Sequence, residues 1–139
     1  MLYRLLVIED NGTDVLMLRH ALAEHSIPHE MLVIEDGEEA IEYLGNCNAR
    51  NTPDLIVIDL NLPKQDGLDV LREYRFSALL VGTPMIVLTS SSDPGDRNRA
   101  EMLGIAAYIR KPIQLDDFFA IGETIRKLLA SKTRSASDA

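Results

Sequence analysis

Four short runs of branched apolar residues set the strongest limit on what this chain can fold into. They are Leu5–Ile8, Met31–Ile34, Leu55–Ile58 and Met85–Leu88. None of them alternates polar with apolar side chains, as a strand with one face in water would, and such runs are typical of parallel strands covered on both faces. A weaker run, Ala106–Ile109, follows Gly104 and is interpreted as an edge strand.

Helix signals fill the intervals between these strands. Asn11 is a good N-cap residue, Asp36 with Glu39 forms a capping-box pattern, and Asp93-Pro94 combines a cap with a proline at the first helical position. The helices that these signals and the apolar spacings predict run from Asn11 to about His25, from Asp36 to near Gly45, onward from Gly67, onward from Asp93, and over Leu115–Ala130.

Five repeats of strand and helix predict an α/β fold. Right-handed crossovers place helices on both faces of a doubly wound, five-stranded parallel sheet. For a small sheet of this kind we expect the flavodoxin-like strand order 2-1-3-4-5. We expect one domain over residues 1–130. The remainder, 131–139, is small and polar, and we expect it to be a flexible tail.

The charge and composition of the chain argue against several classes of function. The net charge of −8 argues against binding to nucleic acid, whose phosphates would repel it. No apolar run reaches the roughly 20 residues that span a bilayer, so we expect no membrane insertion. Cys47 is the only cysteine, which excludes an internal disulfide and favours a cytoplasmic location.

Polar residues stand where four of the predicted strands end. They are Glu9-Asp10 after the first strand, Asp59 after the third, Thr89-Ser90 after the fourth and Arg110-Lys111-Pro112 after the fifth. The carboxyl ends of parallel strands share one edge of a sheet, and in this strand order a crevice opens there between strands one and three. We therefore expect these side chains to converge on one site.

Glu9, Asp10 and Asp59 would bring three carboxylates into this crevice, with Lys111 to offset one of them. Two carboxylates about 5 Å apart repel by roughly 3 kcal/mol at an effective dielectric constant of about 20. Proton uptake or a hard cation relieves that repulsion. Oxygen ligands from Asp10, Asp59 and a backbone carbonyl suit Mg²⁺, or Mn²⁺, and the same arrangement suits phosphoryl transfer to an aspartate.

The ordered set of motifs resembles the signature of bacterial two-component response regulator receiver domains. The set consists of Glu9-Asp10, the stretch Asp59-Leu-Asn-Leu-Pro-Lys-Gln-Asp-Gly67, Thr89-Ser90 and Lys111-Pro112. The resemblance covers about residues 3–130. It implies that Asp59 is phosphorylated by a histidine kinase, that Asp10 and the backbone carbonyl of Asn61 join Asp59 as metal ligands, and that Glu9 acts through water. The family more often has aspartate where this chain has Glu9.

The resemblance also implies how the phosphoryl group is held and sensed. Thr89 and Lys111 would contact it, and Tyr108 would change rotamer together with Thr89. The Lys111-Pro112 peptide bond is expected to be cis, which would aim the lysine at the crevice.

The expected partners are a sensor histidine kinase or a histidine phosphotransfer protein, and an unknown downstream protein. We expect a stand-alone receiver whose signal leaves through protein contacts, including those of a possible homodimer; the alternative is one domain of a longer protein. Asn-Leu-Pro-Lys-Gln-Asp-Gly and the serines before Asp93 resemble stand-alone regulators that pair with phytochrome-type kinases. On this interpretation the chain is a switch rather than an enzyme.

Two other functions remain open on the residues alone. An aspartyl phosphatase or phosphotransferase would use the same nucleophile and Mg²⁺, but enzymes of the haloacid-dehalogenase type have a second acid where this chain has Asn61. A phosphorylation-independent, flavodoxin-like binding module would need a phosphate loop after the first strand, and Glu9-Asp10-Asn11 would repel a phosphate. Turnover of a phosphate ester would favour the first, and a flavin absorption spectrum the second.

Overall fold

The computed structural model describes residues 2–138, with side chains described as far as Ser131. Its strands are β1 (Tyr3–Ile8), β2 (His29–Ile34), β3 (Leu55–Ile58), β4 (Met85–Thr89) and β5 (Ala107–Arg110). Its helices are α1 (Gly12–Glu24), α2 (Gly37–Gly45), α3 (Gly67–Arg75), α4 (Pro94–Met102), α5 (Leu115–Phe119) and α6 (Ile121–Asp138), and a 3₁₀ turn spans Ala78–Leu80.

The five strands form one parallel sheet in the order β2-β1-β3-β4-β5, which confirms the predicted topology. β1 and β3 are paired in register from Leu5 with Leu55 to Ile8 with Ile58. Their carboxyl ends therefore lie side by side. The strand order reverses direction at this pair, so the residues that follow β1 and β3 lie at the switch point of the sheet.

The central strands β1, β3 and β4 are buried on both faces, which explains why their sequences do not alternate, whereas Leu32 of the edge strand β2 is exposed. Leu6 and Ile8 of β1 pack into one core cluster with residues of α2, α3 and α4. Their neighbours Leu5 and Val7 pack into a second cluster with residues of α1, α5 and α6. Successive side chains of a strand point to opposite faces, so a strand between two helical layers needs apolar residues at every position.

Helix caps fix where the helices begin. The Asn11 side chain accepts from the backbone N–H of Thr13 at 3.0 Å and of Asp14 at 3.1 Å. Asp36 accepts from the backbone N–H of Glu39 at 2.7 Å. Asp93 accepts from the backbone N–H of Gly95 at 2.9 Å, so all three predicted N-caps are confirmed. Among the described residues, no helix combines the length and the apolar character that crossing a bilayer requires.

The last predicted helix is interrupted, which the apolar spacing did not indicate. α5 ends at Phe119 and α6 begins at Ile121. At this junction His25, the residue that follows α1, contacts the chain, with its Nε2 atom 3.1 Å from the Phe119 carbonyl oxygen. The carbonyl thus has a partner outside its own helix. The last helix also continues to Asp138, beyond Ala130, where the sequence predicted its end. The expected flexibility of residues 131–139 stays a prediction.

Gly122 marks the place where α6 lies against α1. A Cβ atom at this position would lie 2.6 Å from the Ala21 carbonyl oxygen and would also meet the His25 ring. We predict that Gly122→Ala lowers the free energy of unfolding by about 1–3 kcal/mol, the usual cost of overpacking, measured by urea denaturation.

The matched control is Gly45→Ala, because Gly45 ends α2 and has open space around its Cα. That change should leave stability unaltered or raise it by less than about 1 kcal/mol. Equal effects of the two substitutions would contradict the close approach of α6 to α1.

Candidate functional site

The ends of the strands bring four polar residues to one edge of the sheet. Glu9 follows β1, Asp59 follows β3, Thr89 ends β4 and Lys111 follows β5. The strand ladder continues through these positions, since the Asp59 N–H donates to the Ile8 carbonyl at 3.0 Å and the Lys111 N–H donates to the Thr89 carbonyl at 2.8 Å. The backbone of the sheet therefore holds the site residues in place.

Asp59 is buried and accepts hydrogen bonds on both carboxylate oxygens. Thr89 Oγ1 donates to Asp59 Oδ1 at 2.8 Å, and the Asn61 backbone N–H donates to the same oxygen at 3.0 Å. Lys111 Nζ donates to Oδ2 at 2.7 Å. Burial by itself would raise the pKa of Asp59, but the bonds from Lys111, Asn61 and Thr89 outweigh it and lower the pKa. The carboxylate is therefore held in its charged, nucleophilic form.

Gly67 shapes the loop that follows Asp59. Its N–H donates to the Leu60 carbonyl at 3.1 Å. A Cβ atom on Gly67 would lie 2.8 Å from the Asp59 carbonyl oxygen and 2.9 Å from that of Leu60. The sequence indicated a turn residue here. The structure shows in addition that only glycine lets α3 begin this close to the backbone of Asp59.

Lys111 bonds to three carboxylates at once. Its Nζ atom lies 2.6 Å from Glu9 Oε1, 2.6 Å from Asp14 Oδ2 and 2.7 Å from Asp59 Oδ2. An ammonium group has three N–H donors, so these contacts use all of them. Burial would lower the pKa of Lys111, but the bonds to Asp14, Asp59 and Glu9 raise it above its ordinary value. The lysine is firmly charged.

Sequence reasoning missed Asp14 as a site residue and interpreted it only as an acid in a first helical turn. A signal was available in the helical spacing. Asp14, Leu18 and Leu22 are four residues apart, and residues at that spacing share one helix face. Leu18 and Leu22 are buried. The Asp14 carboxylate is therefore expected on the face of α1 that turns toward the sheet.

Glu9 is a buried carboxyl group whose pKa is raised. Burial, and to a lesser extent the charge of Asp59, raise the pKa of the Glu9 carboxyl to about 7, although the hydrogen bond from Lys111 lowers it. The second Glu9 oxygen accepts from the backbone N–H of Asp10 at 3.1 Å. A nearby cation would therefore stabilise the charged form of the Glu9 carboxylate.

The metal-ligand set predicted from the sequence is only partly assembled. Glu9 and Asp59 meet at Lys111, but the Asp10 side chain is exposed. Among the described residues, no three acidic, histidine or cysteine side chains form a ready metal-binding group. The Lys111 ammonium lies between the carboxylates instead.

Tyr108 lies beside the site on β5, opposite Val87 of β4. Its hydroxyl is buried without a hydrogen-bond partner in the described structure. Ser91, the side chain that lies close enough to influence it, donates its own hydroxyl to Asp96 at 2.7 Å. The Arg97 guanidinium lies 5.5 Å from the centre of the Tyr108 ring. Tyr108 therefore packs against α4, with its hydroxyl already buried while Thr89 bonds to Asp59.

The expected cis bond before Pro112 is wrong. No peptide bond among residues 2–138 is cis, so the Lys111-Pro112 bond is trans. The trans form is the intrinsically favoured one. From it the Lys111 side chain still reaches Asp59 at 2.7 Å, because the flexible four-carbon stem of lysine can bring its ammonium to the crevice without a cis bond.

Comparison with known proteins places this geometry in a family. The sequence model of the response regulator receiver domain family matches residues 5–122 of this chain. Response regulator Rcp1 of Synechocystis sp. is 33% identical over 124 residues, which cover 87% of this chain and 84% of Rcp1.

Solved structures agree with that match. The crystal structure of the phosphorylated cyanobacterial phytochrome response regulator RcpA has a TM-score of 0.82 at 35% identity, covering 94% of this chain and 96% of that one. The Mn²⁺-bound form of Rcp1 has a TM-score of 0.78 at 32% identity, covering 88% and 91%.

These findings confirm the resemblance drawn from the motifs. Receiver domains are signalling switches of two-component systems, are phosphorylated by histidine kinases and bind divalent metals such as Mg²⁺. The family model covers most of the sequence, and the match covers 84% of Rcp1 and 96% of the RcpA structure. This chain belongs to the response regulator receiver domain family.

Proposed function

We propose that this chain is a phosphorylation-dependent signalling switch whose phosphoacceptor is Asp59. The observation that carries the proposal is the set of donors on that one buried carboxylate, namely Lys111, Thr89 and the backbone N–H of Asn61. Catalysis of phosphoryl transfer depends mainly on positioning and on neutralising charge. Donors that already converge on Asp59 meet that need, because an attached phosphoryl group would present new acceptor oxygens to the same hydrogens.

The donor in this proposal is the phosphohistidine of a sensor kinase or of a histidine phosphotransfer protein. An Asp59 oxygen supplies the electron pair for a new O–P bond, while the P–N bond breaks and its electron pair returns to the imidazole nitrogen. Lys111 neutralises part of the charge on the transferred group, and Thr89 donates to one of its oxygens. The low pKa of Asp59 keeps the attacking oxygen free of a proton.

A divalent cation, Mg²⁺ or Mn²⁺, fits the chemistry of these residues. Lys111 faces three carboxylates, those of Glu9, Asp14 and Asp59, and the atoms available to hold a cation are oxygens, which hard cations prefer. Asp10, Asp59 and the Asn61 carbonyl would hold the cation, with Glu9 acting through water. When bound, it would neutralise charge on the transferring oxygens. The relative Rcp1, at 32% identity, has been crystallised in a Mn²⁺-bound form.

A phytochrome-type histidine kinase is the upstream partner that we propose. RcpA, which shares 35% identity with this chain, is a phytochrome response regulator. The motif around Asp59 and the serines before Asp93 resemble that group of regulators. The prediction is that a kinase of this type transfers its phosphoryl group to Asp59.

Output in this proposal passes through the face formed by α4, β5 and α5. Thr89 is linked to α4, since its Oγ1 accepts from the Ser91 N–H at 3.3 Å and the Ser91 hydroxyl donates to Asp96 at 2.7 Å. Drawing Thr89 toward a phosphoryl oxygen would therefore pull on the start of α4. The same face carries Ile113, whose side chain is 99% exposed and available to a downstream protein or to a second copy.

The first prediction concerns Asp59. Incubation with acetyl phosphate and Mg²⁺ should add about 80 Da, the mass of one phosphoryl group, to the wild type and nothing to Asp59→Ala. Intact mass spectrometry measures the gain. Asp116→Ala is the control, because Asp116 is an exposed acid in the first turn of α5. A gain by Asp59→Ala at the wild-type rate would contradict the assignment.

The second prediction concerns the metal. Mg²⁺ should raise the thermal unfolding midpoint of the wild type in proportion to the logarithm of its concentration, because a ligand that binds the folded state stabilises it. Asp10→Ala should lose most of that rise and should no longer be phosphorylated, whereas Asp116→Ala should keep both. A full Mg²⁺ response in Asp10→Ala would remove Asp10 from the ligand set.

The third prediction concerns the output face. Beryllofluoride, a phosphoryl mimic, should change amide hydrogen exchange across residues 93–125, since α4 is tied to Thr89 through Ser91 and Asp96. Asp59→Ala, which lacks the attachment point, should show no change. Changes confined to residues 11–25 would contradict this output face and would favour α1 as the communicating surface.

A further inference from the structure

Asp14 is the one partner of Lys111 that has no role in the switch proposed above. Its Oδ2 atom lies 2.6 Å from the Lys111 Nζ atom, as close as Glu9 and slightly closer than Asp59. The Asp14 side chain is 16% exposed and that of Lys111 is 14% exposed. The pair is therefore largely removed from water, where screening would weaken it.

The local structure holds Asp14 in this position. The Asn11 side chain binds the backbone N–H groups of Thr13 and Asp14 and so fixes the first turn of α1. Leu18 and Leu22, on the same face of the helix, are buried in the core. The Asp14 carboxylate is consequently carried by a rigid element and not by a loop.

A simpler role for Asp14 would be the favourable interaction of an acidic side chain with the N-terminus of its own helix. That role does not need Lys111, and exposed acids fill it in other helices of this chain, such as Glu38 in α2. Asp14 differs because its carboxylate is directed to an ammonium that belongs to another element, the segment after β5.

Because the ammonium group is tetrahedral, the contact with Asp14 also helps to orient the N–H that is directed at Asp59. Nζ has one bond to Cε and three N–H bonds at tetrahedral angles. When two N–H bonds are fixed by Glu9 and Asp14, the third is fixed as well, and it lies on Asp59 Oδ2. A lysine without such anchors samples many rotamers along its four-carbon stem. Two anchors thus aim one proton at the phosphoacceptor before any reaction begins.

We propose that Asp14 is a positioning residue that anchors the Lys111 ammonium from α1, so that one N–H is directed at Asp59 and at the phosphoryl group it receives. This inference rests on the proposed function of Asp59. Asp14 acts through Lys111 and does not itself touch the phosphoryl group. Glu9 is also expected to face the metal, so Asp14 is the anchor with no second duty.

The test compares Asp14→Ala, which removes the acceptor oxygen, with Asp14→Asn, which keeps an acceptor oxygen but loses the charge. With saturating acetyl phosphate and Mg²⁺, the rate constant of mass gain should fall about tenfold in Asp14→Ala and stay within about threefold of wild type in Asp14→Asn. Asp116→Ala controls for the loss of one negative charge, and thermal unfolding confirms that each variant is folded.

A second readout needs no phosphorylation. Lys64 and Lys127 have exposed side chains, so Lys111 is the one lysine with a shielded ammonium among the described residues. Its N–H protons should give a slowly exchanging ammonium signal in heteronuclear NMR of the wild type and of Asp14→Asn. The signal should be lost to solvent exchange in folded Asp14→Ala.

The outcomes separate this inference from the proposed function. If the wild type gains no mass, Asp59 is not the phosphoacceptor. If the wild type gains mass and Asp14→Ala does so at the same rate with its ammonium signal intact, only the role of Asp14 is overturned. Faster phosphorylation of both variants also overturns it, because Asp14 would then act by repelling the incoming phosphate.

Discussion

One ammonium group ties the functional edge of this domain together. Lys111 bonds to Glu9 at the end of β1, to Asp14 in the first turn of α1 and to Asp59 at the end of β3. Burying carboxylates without a charged partner is strongly unfavourable. The three acids can share a largely buried space because the lysine lies between them. That contact links β1, α1, β3 and the segment after β5 at one point.

The same contact leaves the site short of positive charge. One lysine faces three carboxylates, and burial shifts the pKa of Glu9 to about 7. Burial would raise the pKa of Asp59 as well. The hydrogen bonds from Lys111, the Asn61 N–H and Thr89 outweigh burial, so the pKa of Asp59 is lowered. The pKa values of two acids that share one lysine are thus shifted in opposite directions, because the other neighbours of the two acids differ. The imbalance gives a physical reason for the divalent metals that receiver domains bind.

Much of the fold could be predicted from local patterns. Leu55–Ile58 is uninterrupted because both faces of its strand are covered, and Asn11 marks a helix start because its side chain accepts the first N–H groups. The convergence of Asp59, Thr89 and Lys111 followed from strand order alone. The fold and the family were therefore within reach of the sequence, while the roles of these residues still await experiment.

Features that depend on contacts between distant segments could not be predicted in the same way. The break between α5 and α6 involves His25, which is far away in the sequence, and no local signal marks it. The contact between Lys111 and Asp59 joins residues far apart in the sequence, and the local Lys-Pro motif did not indicate that a trans bond allows it. Asp14 is an intermediate case, since its helical spacing placed it on the buried face but not on Lys111.

The measurement that tests the account most directly locates the phosphoryl group itself. Borohydride reduces an acyl phosphate to an alcohol and would convert a phosphorylated aspartate to homoserine. Peptide mapping by mass spectrometry after phosphorylation and reduction should find homoserine at position 59 and unmodified acids at Glu9, Asp10 and Asp14. A reduced residue at any of those three positions, with Asp59 unchanged, would contradict the central claim that Lys111 and Thr89 prepare Asp59 as the acceptor.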